Sequence, residues 1–302
     1  MSWRRVLLAP AVARLAVQAP RDRATRWDRY WAQVRTTGDD GDVLWDPAGE
    51  DEPARYRTLL DDYADPALPL VDLGCGNGRL SRALAAGRSH VVGVDLAPHA
   101  VALARAQSVT TPGVSHEVLD ALDTTAVTAL HTRLGDAHVL IRGVLHTMSR
   151  DDRRQVATAA GTLTGARGVV LLAETNHPGP LLGYLEALGA RPSGLPGPLG
   201  RAISAGLPRP SRFGADELAD CFPPRPLGAG VHRHRRHHQH SAHRTRATPR
   251  HHLRPRRGTT PPPLTARGRV PHRDPDSSTP SDLSSSSASS VLSRAGWAAG
   301  RR

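Results

Sequence analysis

Apolar and polar positions follow two alternating periods between residues 70 and 175. Short apolar runs typical of buried strands lie at 70–73, 91–94, 114–118, 137–142 and 168–174. Segments with apolar positions at helical spacing separate these runs, and further helices are predicted at 52–63 and 213–222. Strand and helix therefore alternate five times, which predicts an α/β fold built on a doubly wound, mostly parallel sheet.

A glycine-rich turn follows the first predicted strand. It has the pattern D-x-G-x-G-x-G from Asp72 to Gly78. Glycine permits a sharp turn and leaves no Cβ to block a ligand, and the N–H groups that open the next helix can donate to it. Seventeen residues past Gly78, Asp95 ends the second strand, where a carboxylate is placed to accept hydrogen bonds from a ribose. The glycine turn and Asp95 together predict a cofactor site.

The spacing of the turn also discriminates between cofactors. A dinucleotide fingerprint requires glycine where Arg79 stands, and the Asp72 carboxylate would crowd a pyrophosphate while suiting an ammonium group. The pattern resembles the first motif of the class I S-adenosylmethionine-dependent methyltransferases, and Asp95 resembles the acid of their second motif. A nicotinamide-binding or other nucleotide-binding fold is the alternative.

The resemblance covers residues 26–222 and implies a Rossmann-like fold, S-adenosylmethionine as cofactor and methyl transfer as the reaction. It implies cofactor contacts from the turn, from the second and third strand ends and from the fourth strand: Asp72, Gly74, Cys75, Gly76, Asn77, Gly78, Asp95, Leu96, Asp120, Ala121 and Arg142. In the family, two antiparallel strands follow the last helix. No such pair is evident after Phe222, so the sheet is expected to be incomplete at its C-terminal edge.

His146 follows the fourth predicted strand, at the sheet edge where ligands bind in such folds. It is the candidate general base, and a histidine hydrogen-bonded within its turn is the alternative. Arg142 is expected to meet an acidic substrate or to pair with Asp120. The chain lacks the Asn/Asp-Pro-Pro-aromatic motif of enzymes that methylate base or glutamine amines. Small-molecule oxygen, carbon, sulfur or amine acceptors remain.

Four of the nine Trp and Tyr residues lie between positions 27 and 45. One interpretation is a lid over cofactor and substrate formed by Tyr30, Trp31 and Trp45, because aromatic faces attract a sulfonium cation. The other is that the rings pack a helix against the sheet edge. Residues 176–212, rich in Gly, Pro and Leu, are expected to fold partly over the same cleft.

The formal net charge is +12, and all 40 basic residues are Arg. Residues 1–220 nevertheless hold 24 Arg against 25 acidic residues, so the basic charge lies in the tail. Charge therefore gives no argument for a polyanionic substrate of the folded part. We divide the chain into a leader of unknown role (1–25), a methyltransferase domain (26–225) and a tail (226–302). The leader is compatible with an interfacial helix, a signal peptide or a mis-set start codon.

The tail is predicted to be disordered, since 17 of the 26 residues from His232 to Arg257 are Arg or His and no apolar periodicity is present. Three interpretations stay open: adventitious metal binding, nucleic-acid binding through phosphates, and an altered reading frame in a GC-rich gene, which the abrupt change of composition favours. The alternative functions are thus a nucleic-acid-binding protein acting through this tail, or a degenerate domain that binds cofactor without turnover.

Two cysteines, Cys75 and Cys221, form neither a disulfide framework nor a metal-ligand cluster, and no metal is expected. A low cysteine content without a disulfide framework is typical of proteins in a reducing cytoplasm. No apolar run approaches the roughly 20 residues that a membrane span needs. A small-molecule methyl acceptor is the expected partner, and the sequence indicates no oligomeric state.

Overall fold

The computed structural model describes residues 20–38, 41–46, 49–176, 181–191, 193–223, 231–232 and 288–293. These residues lie in one compact unit that spans 1–235 and 284–302, and the second unit, 236–283, lies outside them. The helices are α1 (Arg23–Trp31), α2 (Asp51–Tyr63), α3 (Arg79–Ala83), α4 (Pro98–Gln107), α5 (Thr124–Leu134), α6 (Arg150–Thr164), α7 (Leu181–Ala187), α8 (Gly197–Ala205) and α9 (Ala215–Cys221). The strands are β1 (Leu70–Leu73), β2 (Val91–Asp95), β3 (Val114–Val118), β4 (His138–Arg142), β5 (Val170–Thr175), β6 (Val231–His232) and β7 (Ala288–Ser293).

Local sequence explains where several helices begin. The Ser149 hydroxyl accepts a hydrogen bond from the N–H of Asp152 and so caps α6, as its sequence predicts. Asp123 caps α5 in the same way, through the N–H groups of Thr125 and Ala126. Pro98 opens α4, where a missing N–H costs nothing.

The strands form one sheet in the order β3-β2-β1-β4-β5-β7-β6. Strands β1 to β5 pair in parallel, with Leu70 opposite both Val91 of β2 and His138 of β4. The predicted doubly wound α/β fold is confirmed. Because β1 and β4 are neighbours, the turns that follow them lie side by side at the carboxyl edge of the sheet.

The C-terminal edge of the sheet differs from the expectation. The sequence predicted that the sheet stops at β5, but β7 pairs antiparallel with β5 over six positions and β6 pairs with β7. The open edge of β5 presents unpaired N–H and C=O groups, and backbone hydrogen bonding does not require an alternating apolar pattern. A serine-rich segment can therefore fill this edge. The rest of the predicted tail lies outside the described residues, as do residues 1–19 of the leader.

The sheet is covered on both faces, as a parallel sheet requires. Alternate strand residues point to opposite sides, so Val71 and Ile141 pack with helices α5, α6 and α9, while Leu70 and Leu140 pack with α2 and α3. The two apolar layers fix the strand ends in space. The side chains at those strand ends are therefore held in fixed positions.

The segment before α2 forms a third apolar cluster. Tyr30 and Trp31 of α1 pack against Ala97 and Ala100 near the start of α4 and against Ala205 of α8. Helix α8 belongs to the Gly-, Pro- and Leu-rich stretch 176–212. Helix α8 packs on α1, and the folding of this stretch over the cleft stays a prediction.

Candidate cofactor and active site

The glycine turn has the backbone that its sequence requires. Gly74, Gly76 and Gly78 have φ values of 80°, 53° and 69°. A Cβ on Gly74 would lie 2.5 Å from Cγ2 of Val144, and one on Gly76 would lie 2.7 Å from Cζ2 of Trp31. Both the left-handed conformation and the close packing therefore demand glycine at these positions.

Asp95 is tied directly to this turn. Its Oδ2 accepts a hydrogen bond from the N–H of Gly76 at 3.0 Å, and its Oδ1 accepts one from the N–H of Ala97 at 2.9 Å. Burial raises the pKa of Asp95 to about 6. The carboxylate thus both shapes the turn and places charge at the tip of β2, and the neighbouring Leu96 is half-buried.

Asp72 lies under the same turn and is 2% exposed. Its Oδ2 accepts a hydrogen bond of 2.6 Å from the hydroxyl of Ser81. Burial, together with the nearby charge of Asp95, raises the pKa of Asp72 to about 6. The donors described for the two carboxyl groups are neutral, so a bound cation would stabilise their ionised forms.

The N-terminal segment reaches over the turn at Asn77. Nδ2 of Asn77 donates to both carboxylate oxygens of Asp46, at 3.0 and 2.9 Å. The N–H of Gly38 donates to Asp46 Oδ2 at 2.9 Å. Asn77 therefore holds the covering segment, and Cys75 beside it is a buried free thiol whose pKa burial raises.

Asp120, the position that the resemblance assigns to adenine, contacts Arg23 of α1. Nη2 of Arg23 lies 2.6 and 2.5 Å from the two carboxylate oxygens of Asp120. The N–H of Leu122 donates to Asp120 Oδ1 at 2.9 Å, and Ala121 packs against the core. Helix α1 is thereby tied to the loop after β3.

The three predicted lid residues lie together. The rings of Tyr30 and Trp45 stack with centroids 5.0 Å apart, and Trp31 meets both edge-on. Tyr30 and Trp31 are buried, which is what packing of a helix on the sheet edge predicts. Trp31 also lies against Gly76, as a lid would. Both interpretations describe the same cluster, and a role toward ligands stays a prediction.

Arg142 is not paired with Asp120, and that expectation is wrong. Its Nε and Nη2 donate to the two oxygens of Glu52 at 3.0 and 2.9 Å, and its Nη1 donates to the carbonyl of Trp45. The reason is topological, because β1 and β2 lie between β4, which carries Arg142, and β3, which Asp120 follows. Arg142 anchors α2 and the lid residue Trp45 to the sheet.

His146 lies in the 3₁₀ turn Leu145–Thr147 that follows β4. Its Nδ1 is 2.6 Å from Oε2 of Glu174, the penultimate residue of β5. Sequence reasoning missed Glu174. An acid at the carboxyl end of the fifth strand, next to the strand that carries the candidate base, was the available signal.

The backbone of this turn is held from a second side. Both the N–H and the hydroxyl of Ser211 donate to the carbonyl of His146 at 2.7 Å. The buried guanidinium of Arg153 donates through Nε to the carbonyl of Leu145 at 2.8 Å and through Nη2 to the Ser211 hydroxyl. No local pattern marks Arg153 or Ser211, because each is placed by long-range packing.

Comparison with known proteins agrees with this architecture. A family model described as "Methyltransferase domain" matches residues 70–168. A ubiquinone biosynthesis O-methyltransferase of Xylella fastidiosa (strain 9a5c) is 40% identical over 67 residues, which are 20% of this chain and 27% of that protein. The chain thus matches about a quarter of that relative's length. The crystal structure of an S-adenosylmethionine-dependent methyltransferase from Anabaena variabilis ATCC 29413 has a TM-score of 0.58 and 24% identity, covering 72% of this chain and 87% of that chain.

Residues 70–168 therefore match a methyltransferase domain, and the described fold is similar to that of the Anabaena enzyme. The residues present fit S-adenosylmethionine. The buried carboxyl groups of Asp72 and Asp95 suit an ammonium group and ribose hydroxyls, while most N–H groups of the turn already donate within the protein. No residue of the cradle conflicts with that ligand.

Two absences concern only the part of the chain that the structure describes. Within it, no helix is long and apolar enough to cross a membrane. No group of three or more His, Cys, Asp and Glu side chains there is arranged to hold a metal ion. The Arg/His tract lies outside these residues, so nucleic-acid binding through the tail stays a prediction.

Proposed function

We propose that this protein transfers a methyl group from S-adenosylmethionine to a small-molecule acceptor, with His146 as the general base. One observation carries the proposal: the turn that cradles the cofactor and the turn that carries His146 touch. A Cβ on Gly74 would meet the side chain of Val144, two residues before His146. A cofactor in the cradle and an acceptor beside His146 would therefore be neighbours.

Different residues of the chain have different roles in this reaction. S-adenosylmethionine held in this site would supply an electrophilic methyl carbon on a sulfonium sulfur, which would keep the C–S bonding electrons. Asp72 and the glycines hold the methionine part, Asp95 the ribose, and Asp120 with Ala121 the adenine. Tyr30, Trp31 and Trp45 cover the site and exclude water. His146 removes the proton that the acceptor loses, which is typically worth about 10²- to 10⁴-fold in rate.

Oxygen is the acceptor atom that we favour. The similar Xylella protein is named an O-methyltransferase, and a hydroxyl is a nucleophile that needs a base at neutral pH. We also place the protein in the cytoplasm, because Cys75 and Cys221 are both free and buried.

Calorimetric titration of the full chain with S-adenosylmethionine tests the first step. We expect saturable binding with one cofactor per chain. Transfer of label from [methyl-³H]S-adenosylmethionine to catechol, a phenol, an alkyl thiol and an alkyl amine then tests the acceptor class, and the catechol or phenol is expected to accept the label. Absence of cofactor binding would refute the proposal. Binding without transfer to any probe would favour a domain that holds cofactor without turnover.

A further inference from the structure

One buried carboxylate organises the acceptor side of the site. Glu174 is 2% exposed, and its two oxygens receive three backbone hydrogen bonds and contact one ring nitrogen. Oε1 accepts from the N–H of Val144 at 3.0 Å and from that of Leu145 at 2.7 Å. Oε2 accepts from the N–H of His146 at 3.1 Å and lies 2.6 Å from its Nδ1. The group therefore grips both the backbone of the turn and the imidazole.

The protonation state of the contact follows from this geometry. A carboxylate that receives several N–H hydrogen bonds is stabilised in its ionised form, in which it only accepts. The proton between Glu174 and His146 then belongs to Nδ1. A neutral imidazole carries one proton, so Nε2 is left with its lone pair.

The geometry points to Glu174 as a positioning residue that selects the Nδ1–H tautomer of His146 and so makes Nε2 the basic atom. This inference rests on the proposed function and assigns a role that the sequence did not suggest. The same carboxylate fixes the turn, and Ser211 fixes its other side by donating to the carbonyl of His146. The imidazole is held at its backbone N–H, its backbone C=O and its ring.

The pair also specifies the acceptor chemistry. As a hydroxyl oxygen forms its bond to carbon, its O–H bond breaks and the proton passes to Nε2, giving an imidazolium that later loses this proton to solvent. The adjacent Glu174 carboxylate stabilises that positive charge in a buried setting. An amine in its neutral form attacks through a lone pair and loses a proton only after methyl transfer, and a thiol, with a pKa of about 8.5, ionises more readily than a phenol, with a pKa of about 10. A phenolic or enolic hydroxyl is the acceptor that gains most from this arrangement.

The tautomer is directly measurable. In the full chain labelled with ring-¹³C,¹⁵N histidine, the ¹³Cδ2 and ring ¹⁵N shifts distinguish the two neutral tautomers, and the spectrum of His146→Gln identifies the signal. We expect the wild-type ring to be mainly in the Nδ1–H form. Glu174→Gln, which offers one acceptor oxygen to four donors, should lose that preference. Glu174→Asp, which keeps a carboxylate, should retain part of it.

Glu217→Gln is the matched control, since Glu217 accepts a 2.7 Å hydrogen bond from the N–H of Gly214 without reaching an imidazole. It should leave the His146 signal unchanged. A wild-type ring in the Nε2–H form, or a folded Glu174→Gln variant with an unaltered His146 signal, overturns the inference. If Glu174→Gln does not fold, the wild-type spectrum alone decides. The readout needs neither cofactor nor turnover, so its failure is distinct from failure of the proposed methyl transfer.

Discussion

The two turns that meet at the carboxyl edge of the sheet are built in different ways. The turn after β1 owes its shape to glycines with positive φ, together with the Asp95 carboxylate that accepts from the N–H of Gly76. The turn after β4 begins at Gly143, which also has a positive φ of 74°, but it is held by side chains from elsewhere, Glu174 on one side and Arg153 with Ser211 on the other.

This difference separates what each turn can bind. A turn shaped by glycines depends little on the surrounding side chains, which suits the cofactor that we propose it binds. A turn held by distant side chains can be altered without touching the cradle, which suits an acceptor that differs between enzymes. The predictions below test that separation, beginning with the largest expected effect.

Gly76→Val should abolish cofactor binding. Valine does not tolerate the φ of 53°, and its Cβ would lie 2.7 Å from the ring of Trp31. Calorimetric titration of the folded variant measures the loss. Gly87→Val is the control, since Gly87 has a similar φ of 75° but nothing within 4 Å of the place that a Cβ would occupy. Normal affinity in Gly76→Val would show that the cradle lies elsewhere.

His146→Gln should lower kcat by about 10²- to 10⁴-fold, the usual contribution of a general base, while cofactor affinity stays unchanged. Label transfer to the accepted probe and calorimetry give the two numbers. His90→Gln, which removes an exposed histidine whose ring contacts Ser115 Oγ at 2.9 Å, should alter neither. An equal loss of cofactor affinity in His146→Gln would mean that the two turns are not separate.

Sequence alone predicted most of the fold and identified the glycine turn as the candidate cofactor site. Periodicity placed β1 to β5 and the helices between them, because every strand except β3 is almost fully buried and the helices bury apolar residues against the sheet. The glycine turn and Asp95 were also legible, since their chemistry is local. The pairing of Arg142 with Glu52 could not be predicted from the sequence, because it joins residues 90 positions apart.

Sequence analysis did not predict the edge strands or the partner of His146, and the reasons are related. Strand β7 pairs with β5 through backbone groups that every residue carries, so its sequence shows no strand signal. In the sequence, Glu174 is only an acid near the end of a buried strand. Its position beside the turn after β4 follows from the fold. Contacts of this kind become visible only once the strand order is known.

Asp95→Ala should weaken cofactor binding about 10- to 100-fold, because charge-assisted hydrogen bonds are each worth roughly 1.5–3 kcal/mol. Calorimetry on the folded variant tests this. Asp136→Ala is matched to it, since Asp136 also accepts two backbone N–H groups, those of Ala166 and Arg167 at 3.1 Å. Asp136 precedes β4 at the opposite sheet edge, so only stability should change there. Unaltered affinity in Asp95→Ala would remove Asp95 from the site.

Cofactor affinity should rise with pH between 5 and 7. The free protein has Asp72 and Asp95 with pKa values raised to about 6, and a cationic ligand binds their ionised forms. Each carboxyl group is mostly protonated at pH 5, which should lower affinity about tenfold per group. The stability of the free protein should change in the opposite sense, because the folded state binds more protons than the unfolded chain between pH 4 and 6. Calorimetric and chemical-unfolding series across this range decide both signs.

Arg23→Gln should have the smallest effect. The Arg23–Asp120 ion pair is partly exposed, at 25% and 38% of the two side chains, and such pairs are typically worth up to about 1 kcal/mol. We expect the dissociation constant for S-adenosylmethionine to change by no more than about fivefold.

Dissociation of S-adenosylmethionine should be faster in Arg23→Gln, because α1 loses one contact with the loop after β3. Stopped-flow fluorescence of Trp27, Trp31 and Trp45 follows the release, and Arg150→Gln, which removes an exposed ion pair with Asp220, is the control. Complete loss of binding in Arg23→Gln would show that the cofactor side depends on a distant side chain as the His146 turn does, and the contrast between the two turns would fail.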